Sequence, residues 1–221
     1  MNRYKIIVAY DGSDYSGWQL QPDAVTVQST LELGIKTVTG EAVRLHGSGR
    51  TDRGVHAMGQ VAHCDLIDKI KPDTFTRSLN AVLPADIRVI SVTTVKPDFH
   101  ARRSAISKEY RYYIWNSDIV PPPLRLYRTA IRNKLDVDAM RSACNMIVGK
   151  HDFAAFTANP NRPVESTVRE LSMLTVSVRG KEIMIRARSE GFLYKMVRSL
   201  VGFLIRVGDG SLQPEDAQAI R

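Results

Sequence analysis

The feature that most restricts the fold is the order in which two hydrophobic periods alternate along the chain. Tyr4, Ile6, Val8 and Tyr10 face one way and Lys5, Ile7 and Ala9 the other, which makes Tyr4–Tyr10 a strand buried on at least one face. Val27, Leu31, Ile35 and Val38 recur at helical spacing, and Gly40 stops that helix. Short strands are expected at Val43–His46 and Gln60–Leu66, with a glycine-rich stretch, Gly47–Gly59, between them. Pro72 opens a second helix with Phe75, Leu79 and Val82 on one face and Pro84 beyond its end. Ile87–Val95 alternates again. Strand, helix, strand, strand, helix, strand is the split βαβ order, which predicts an antiparallel sheet with both helices on one face.

The second half begins the same succession. Ala105–Trp115 reads as a long strand, Pro121-Pro122-Pro123 as the start of an extended insertion, and Val137–Val148 as a helix ended by Gly149. Val168–Val178 and Glu182–Ser189 read as strands around the turn Arg179-Gly180-Lys181, and Phe192–Val207 as a helix with Phe192, Met196, Leu200, Phe203 and Val207 along one stripe. A short helix is expected from Pro214. The strand that would complete the second unit is missing before Arg221, so either the chain stops short of it or the second sheet closes differently. The expected fold class is α+β: two split βαβ units of ferredoxin-like or RRM-like topology, 1–103 and 104–221. Their mixed, mostly antiparallel sheets would face each other across a central cleft, with helices on the outer faces.

Charge narrows the partners. The net charge is +8 and the pI about 9.6. Residues 1–103 hold 13 basic against 11 acidic residues, and 104–221 hold 18 against 12, so the second half is the more basic. Arginine outnumbers lysine, which suits bidentate contact with phosphate. The N-terminus enters a strand without a signal-peptide pattern, and no apolar run reaches bilayer length. A cytoplasmic protein with no membrane partner is expected. Cys64 and Cys144 form no metal or redox spacing and read as small buried residues.

The densest chemistry lies in His46-Gly47-Ser48-Gly49-Arg50-Thr51-Asp52-Arg53-Gly54-Val55-His56-Ala57. Glycines let the backbone approach a ligand closely, and arginines on both sides of Asp52 favour its ionised form. As a bare loop it reads equally as a tight connection with Asp52 in a turn, or as a site carried by a rigid scaffold. It is not a phosphate-binding P-loop, since no Gly-Lys-Ser/Thr follows. The spacing of His46, His56, His63 and Cys64 fits no standard zinc pattern, and Asp11-Gly12-Ser13-Asp14 reads as a β-turn rather than as part of a Mg²⁺ site. No metal is expected.

Gly49-Arg50-Thr51-Asp52-Arg53-Gly54-Val55-His56-Ala57 strongly resembles the signature of the tRNA pseudouridine synthase A family. Further blocks follow in the family's order. They are Tyr10-Asp11-Gly12 with Tyr15, Gly17, Trp18 and Gln19; Gly59-Gln60-Val61; Asn80, Leu83-Pro84 and Asp86-Ile87; Phe99-His100-Ala101-Arg102; Lys108-Glu109-Tyr110-Arg111-Tyr112; His151-Asp152-Phe153; and Phe192–Gly202. The resemblance covers nearly the whole chain, but family members usually continue past the Pro214 region to a closing strand.

The resemblance implies a cofactor-free isomerase that converts uridine to pseudouridine in the anticodon stem-loop of tRNA, working as a homodimer. Asp52 matches the family's catalytic carboxylate, Arg198 its basic partner, Tyr110 the tyrosine that stacks on the target uracil, and Arg50 the arginine that fills the space of the extruded base. Leu200 is expected to pack beneath the site. The alternative is a non-catalytic RNA-binding module of RRM-like topology, which would need paired aromatics in its strand motifs.

Overall fold

In the computed structural model of the chain, residues 1–158 and 165–219 are described. Backbone contacts divide the chain into two compact units, Met1–Ala105 and Ile106–Arg221.

The first unit contains β1 (Asn2–Tyr10), α1 (Val27–Thr39), β2 (His46–Gly47), β3 (Ala57–Leu66), α2 (Pro72–Val82) and β4 (Ile87–Val95). They form one antiparallel sheet in the order β2-β3-β1-β4, the split βαβ order. Tyr4, Ile6, Val8 and Tyr10 of the central β1 are buried with Val27, Leu31 and Ile35 of α1 and Phe75 and Leu79 of α2. The Thr26–Ser29 capping box starts α1, and Gly40, left-handed at φ 76°, ends it.

Two expected boundaries move. Val43–His46 is not a strand, because α1 side chains take up the backbone of Leu45. Glu32 accepts its N–H (2.9 Å) and Gln28 donates to its carbonyl (3.0 Å), leaving only His46–Gly47 to pair with β3. Conversely, β3 begins at Ala57 rather than Gln60. Val8 pairs with Gln60 but Tyr10 with Ala57, so β3 carries an extra residue there, a bulge at the root of the glycine-rich loop.

Three histidines meet at the β2–β3 edge. The His46 ring stacks on His63 (5.0 Å between centroids, 22°), and His100 lies 4.8 Å from His63. His63 is 3% exposed, and its Nδ1 accepts the Ala101 N–H at 3.2 Å. Burial, then the neighbouring His100, His46 and Arg3, lower the His63 pKa to about 4. Arg3 pairs with Asp65 (2.7 Å) and donates to the carbonyls of Pro97 and Phe99, fixing the segment that carries His100.

The second unit contains β5 (Lys108–Trp115), β6 (Thr129–Ala130), α3 (Val137–Ile147), β7 (Gly149–Asp152), β8 (Val168–Arg179), β9 (Glu182–Ser189), α4 (Met196–Gly208) and α5 (Asp216–Ala219). The sheet order is β6-β5-β9-β8-β7. All its pairs are antiparallel except β5–β6, which is parallel and joined only through Ile114–Thr129 and Trp115–Ala130. Among the described residues no strand follows α4, and β6, from the proline-rich insertion, lies beside β5 at its Trp115 end. The protein is thus α+β with two mostly antiparallel sheets.

β5 starts at Lys108, not Ala105, and α4 at Met196, not Phe192. Lys195 is left-handed (φ 57°), which interrupts helical geometry immediately before Met196. Phe192 therefore leaves the expected stripe and meets the Tyr110 ring edge-on at 5.1 Å. The rest of the stripe, Met196, Leu200, Phe203 and Val207, packs with Met140, Cys144 and Ile147 of α3 and with Leu174 and Ile185 of the sheet. Cys64 and Cys144 are buried free thiols, and burial pushes both up to about 12. No helix among the described residues is long and apolar enough to cross a membrane.

Candidate active site

The chain leaves β2 at Gly47 and returns to β3 at Ala57, and the loop between them is held along its length. On its ascending limb the Ser48 N–H donates to Val61 O (2.7 Å), and Gln60 Nε2 donates to Gly49 O (2.7 Å) while accepting from the Ser48 hydroxyl (3.0 Å). At Thr51 the Trp18 N–H donates to the carbonyl (3.1 Å), and the Tyr10 hydroxyl is hydrogen-bonded to Thr51 Oγ1 (2.9 Å). The Val55 N–H then donates to Asp52 O (3.2 Å), closing a turn whose third residue, Gly54, takes φ 75°. The Gly54 N–H donates to Tyr15 O (3.4 Å).

The segment that grips this loop, residues 10–18, is itself anchored. The Tyr15 hydroxyl donates to Asp86 Oδ1 (2.8 Å), and the Asp11 N–H donates to Asp86 O (2.9 Å). Burial and then the bond to Asp86 hold the Tyr15 phenol above its ordinary range. The two segments approach so closely that a Cβ at Gly17 would lie 2.5 Å from Thr51 O, and one at Gly12 would lie 2.1 Å from Val55 O. His56 Nδ1 accepts the Gly12 N–H (3.1 Å) and lies 3.0 Å from Asp11 Oδ1. One ring nitrogen cannot accept from the first and donate to the second, so only one of the two contacts is a hydrogen bond in a given tautomer of the ring.

Asp52, Arg50 and Arg53 are exposed on this fixed backbone. The loop therefore presents a carboxylate between two guanidinium-bearing residues, its backbone set by hydrogen bonds and its side chain turned out of the core. Such a group can stabilise or trap an oxocarbenium-like sugar carbon, or accept a proton.

In the second unit Tyr110 lies on β5, paired with Ala187 of β9 and half-buried. By strand alternation its neighbours Glu109 and Arg111 point to the opposite face. There Glu109 accepts from Arg186 (2.9 Å), Arg188 (2.6 Å) and Arg111 (2.8 Å), and these bonds lower its pKa to about 2. Arg198 is exposed in the first turn of α4, and Leu200 is wholly buried in the core of this unit. Arg50 and Asp52 thus share one loop of the first unit, whereas Tyr110, Arg198 and Leu200 belong to the second.

Residue patterns pointed to Asp52 and Arg50 but assigned no task to Thr51, Tyr10, Gln60, Tyr15, Asp86 or Glu109, which hold the loop and the tyrosine strand. Among the described residues no group of three or more His, Cys, Asp or Glu side chains is placed to hold a metal ion. His63 Nδ1 is already an acceptor for a backbone N–H.

A basic α+β chain with split βαβ topology, presenting an exposed carboxylate on a clamped glycine-rich loop, has the makings of a pseudouridine synthase. The chain matches the tRNA pseudouridine synthase family over residues 6–102 and 143–221, and it belongs to that family of isomerases. It is 44% identical over 220 residues to tRNA pseudouridine synthase A of Brevibacillus brevis, covering 100% of this chain and 90% of that protein. It is 45% identical over 217 residues to the protein of the same name from Geobacter sp. strain M21, covering 98% and 87%. The one from Maridesulfovibrio salexigens is 40% identical over 222 residues, covering 100% and 82%.

Proposed function

We propose that this protein isomerises uridine to pseudouridine in the anticodon arm of tRNA, in the cytoplasm and as a homodimer, with Asp52 as its catalytic carboxylate. The reaction breaks the bond from C1′ to N1, turns the base and joins C1′ to C5; C5 gives up its proton to solvent and N1 takes one up, so atoms balance without a co-reactant. The carboxylate is suited to act on the sugar carbon or the base, or to take the ribose 2′-hydrogen. A 2′-deuterium isotope effect separates the last route from the other two.

Arg50 would fill the space of the extruded base, since a base inside a stem is out of reach of any side chain. Tyr110 would stack on the uracil, Arg198 would take the part of the basic partner that the family resemblance implies, and Leu200 would support α4 from the core. The observation that carries this reading is the exposed Asp52 on a backbone fixed by residues 10–18, in a chain of this family. Tritium release from tRNA carrying 5-tritiated uridine tests it. Asp52→Asn should release none while still binding tRNA, and a variant with full release would overturn the reading. Light scattering of the wild type tests the homodimer.

A further inference from the structure

We propose that Tyr10 and Thr51 are positioning residues for Asp52, their paired hydroxyls fixing the direction in which the loop presents the carboxylate. This rests on the reading of Asp52 as the catalytic group.

Tyr10 ends β1 and is 4% exposed, its ring tilted against Trp18 at 6.1 Å between centroids. For the core a ring is enough, and phenylalanine would supply it. A phenol hydroxyl taken out of water costs free energy unless it is bonded, so its presence calls for a polar partner. Thr51 Oγ1, 2.9 Å away, is such a partner.

Thr51 is held twice, at its side chain by Tyr10 and at its carbonyl by the Trp18 N–H. It is also the residue bonded to Asp52. Two holds stop rotation where one would leave a pivot. Removing the hydroxyl pair keeps the carbonyl contact, the Gln60 clamp on Ser48–Gly49 and the turn at Gly54, so the loop stays folded. What is lost is the fixed orientation of the Thr51–Asp52 peptide. Misplacing a reacting group by about 1 Å costs on the order of 100-fold in rate. The loss should therefore fall on the chemical step and not on RNA affinity.

Thr51→Val, which keeps the shape and removes the hydroxyl, and Tyr10→Phe are compared with Thr51→Ser, which restores the hydroxyl, and with Asp52→Asn. Single-turnover tritium release at saturating enzyme gives the rate, filter binding gives tRNA affinity, and circular dichroism gives the folded fraction. Thr51→Val and Tyr10→Phe should each slow release about 10- to 100-fold with tRNA affinity within about twofold of wild type. The double variant should be no slower than the slower single one, and Thr51→Ser should recover most of the rate. Full rate in Thr51→Val and Tyr10→Phe beside an inactive Asp52→Asn would overturn the positioning role and leave the catalytic one intact. A rate loss that only follows loss of folded protein would also overturn it. An active Asp52→Asn would overturn the catalytic reading itself.

Discussion

Lowering the pH from 7 to 5 should destabilise the first unit through His63. The ring is buried against His46 and His100, with Arg3 and Asp65 beside it and Arg103 near His100, and its Nδ1 accepts the Ala101 N–H. The folded pKa is about 4 against an ordinary 6.5. Because the folded value is the lower one, the unfolded chain binds the proton more readily throughout that window. Stability is complete above pH 6.5 and drains away as pH falls toward 4. At roughly 1.4 kcal/mol per pH unit the loss reaches about 2 kcal/mol by pH 5. His100, also lowered, adds in the same direction. Asp65 and Glu109 titrate from their ordinary values of 3.8 and 4.5 downward and stay largely out of this range. Urea unfolding followed by Trp18 fluorescence in a Trp115→Phe background reports the first unit alone. His63→Gln can still accept the Ala101 N–H but cannot titrate, and it should lose most of the difference between pH 7 and pH 5. An unchanged difference in His63→Gln would refute the assignment to this ring.

Gly17→Ala puts a methyl group against Thr51 O on a backbone at φ 89°, and should cost about 1–3 kcal/mol in urea unfolding together with most of the tritium release. Tyr15→Phe removes the bond to Asp86 and should cost about 1–2 kcal/mol, read from the same unfolding curves. Leu200→Ala opens a cavity in a fully buried position and should destabilise the second unit by about 2–5 kcal/mol, measured through Trp115 in a Trp18→Phe background. Glu109→Gln leaves Arg111, Arg186 and Arg188 around a neutral group. Because the folded Glu109 pKa is depressed, the wild type should lose stability as pH falls from about 4.5 toward 2, and the variant should lack that contribution in acid denaturation curves.

Elements with a strong period were readable from residues alone. Ile87–Val95 and Glu182–Ser189 fall where alternation puts them, α1 ends at Gly40 and α2 starts at Pro72. Elsewhere the local pattern is overridden or too short to read. Val43–Leu45 has strand-like residues, but Gln28 and Glu32 of α1 occupy the Leu45 backbone. Phe192 has the right spacing for α4, but Lys195 turns left-handed before the helix begins. β6 and β7 are too short to show a period. For the site, chemistry marked Asp52 as one of two readings of a loop, and family resemblance favoured one of them. The hydroxyl pair of Tyr10 and Thr51 spans most of the first unit's β-α-β connection in sequence, and only the fold brings it together.

The close approach of residues 10–18 to the Asp52 loop bears on how this sequence can drift. Gly12 and Gly17 meet main-chain atoms, not side chains, so no compensating change in a neighbour's side chain can make room for a larger residue at either position. Insertions should be tolerated even less. One added residue between Asp11 and Trp18 would shift Tyr15 O and the Trp18 N–H out of step with Gly54 and Thr51 at once. Length, more than residue identity, is what these two loops must inherit together, and lineages that alter one are expected to have altered the other.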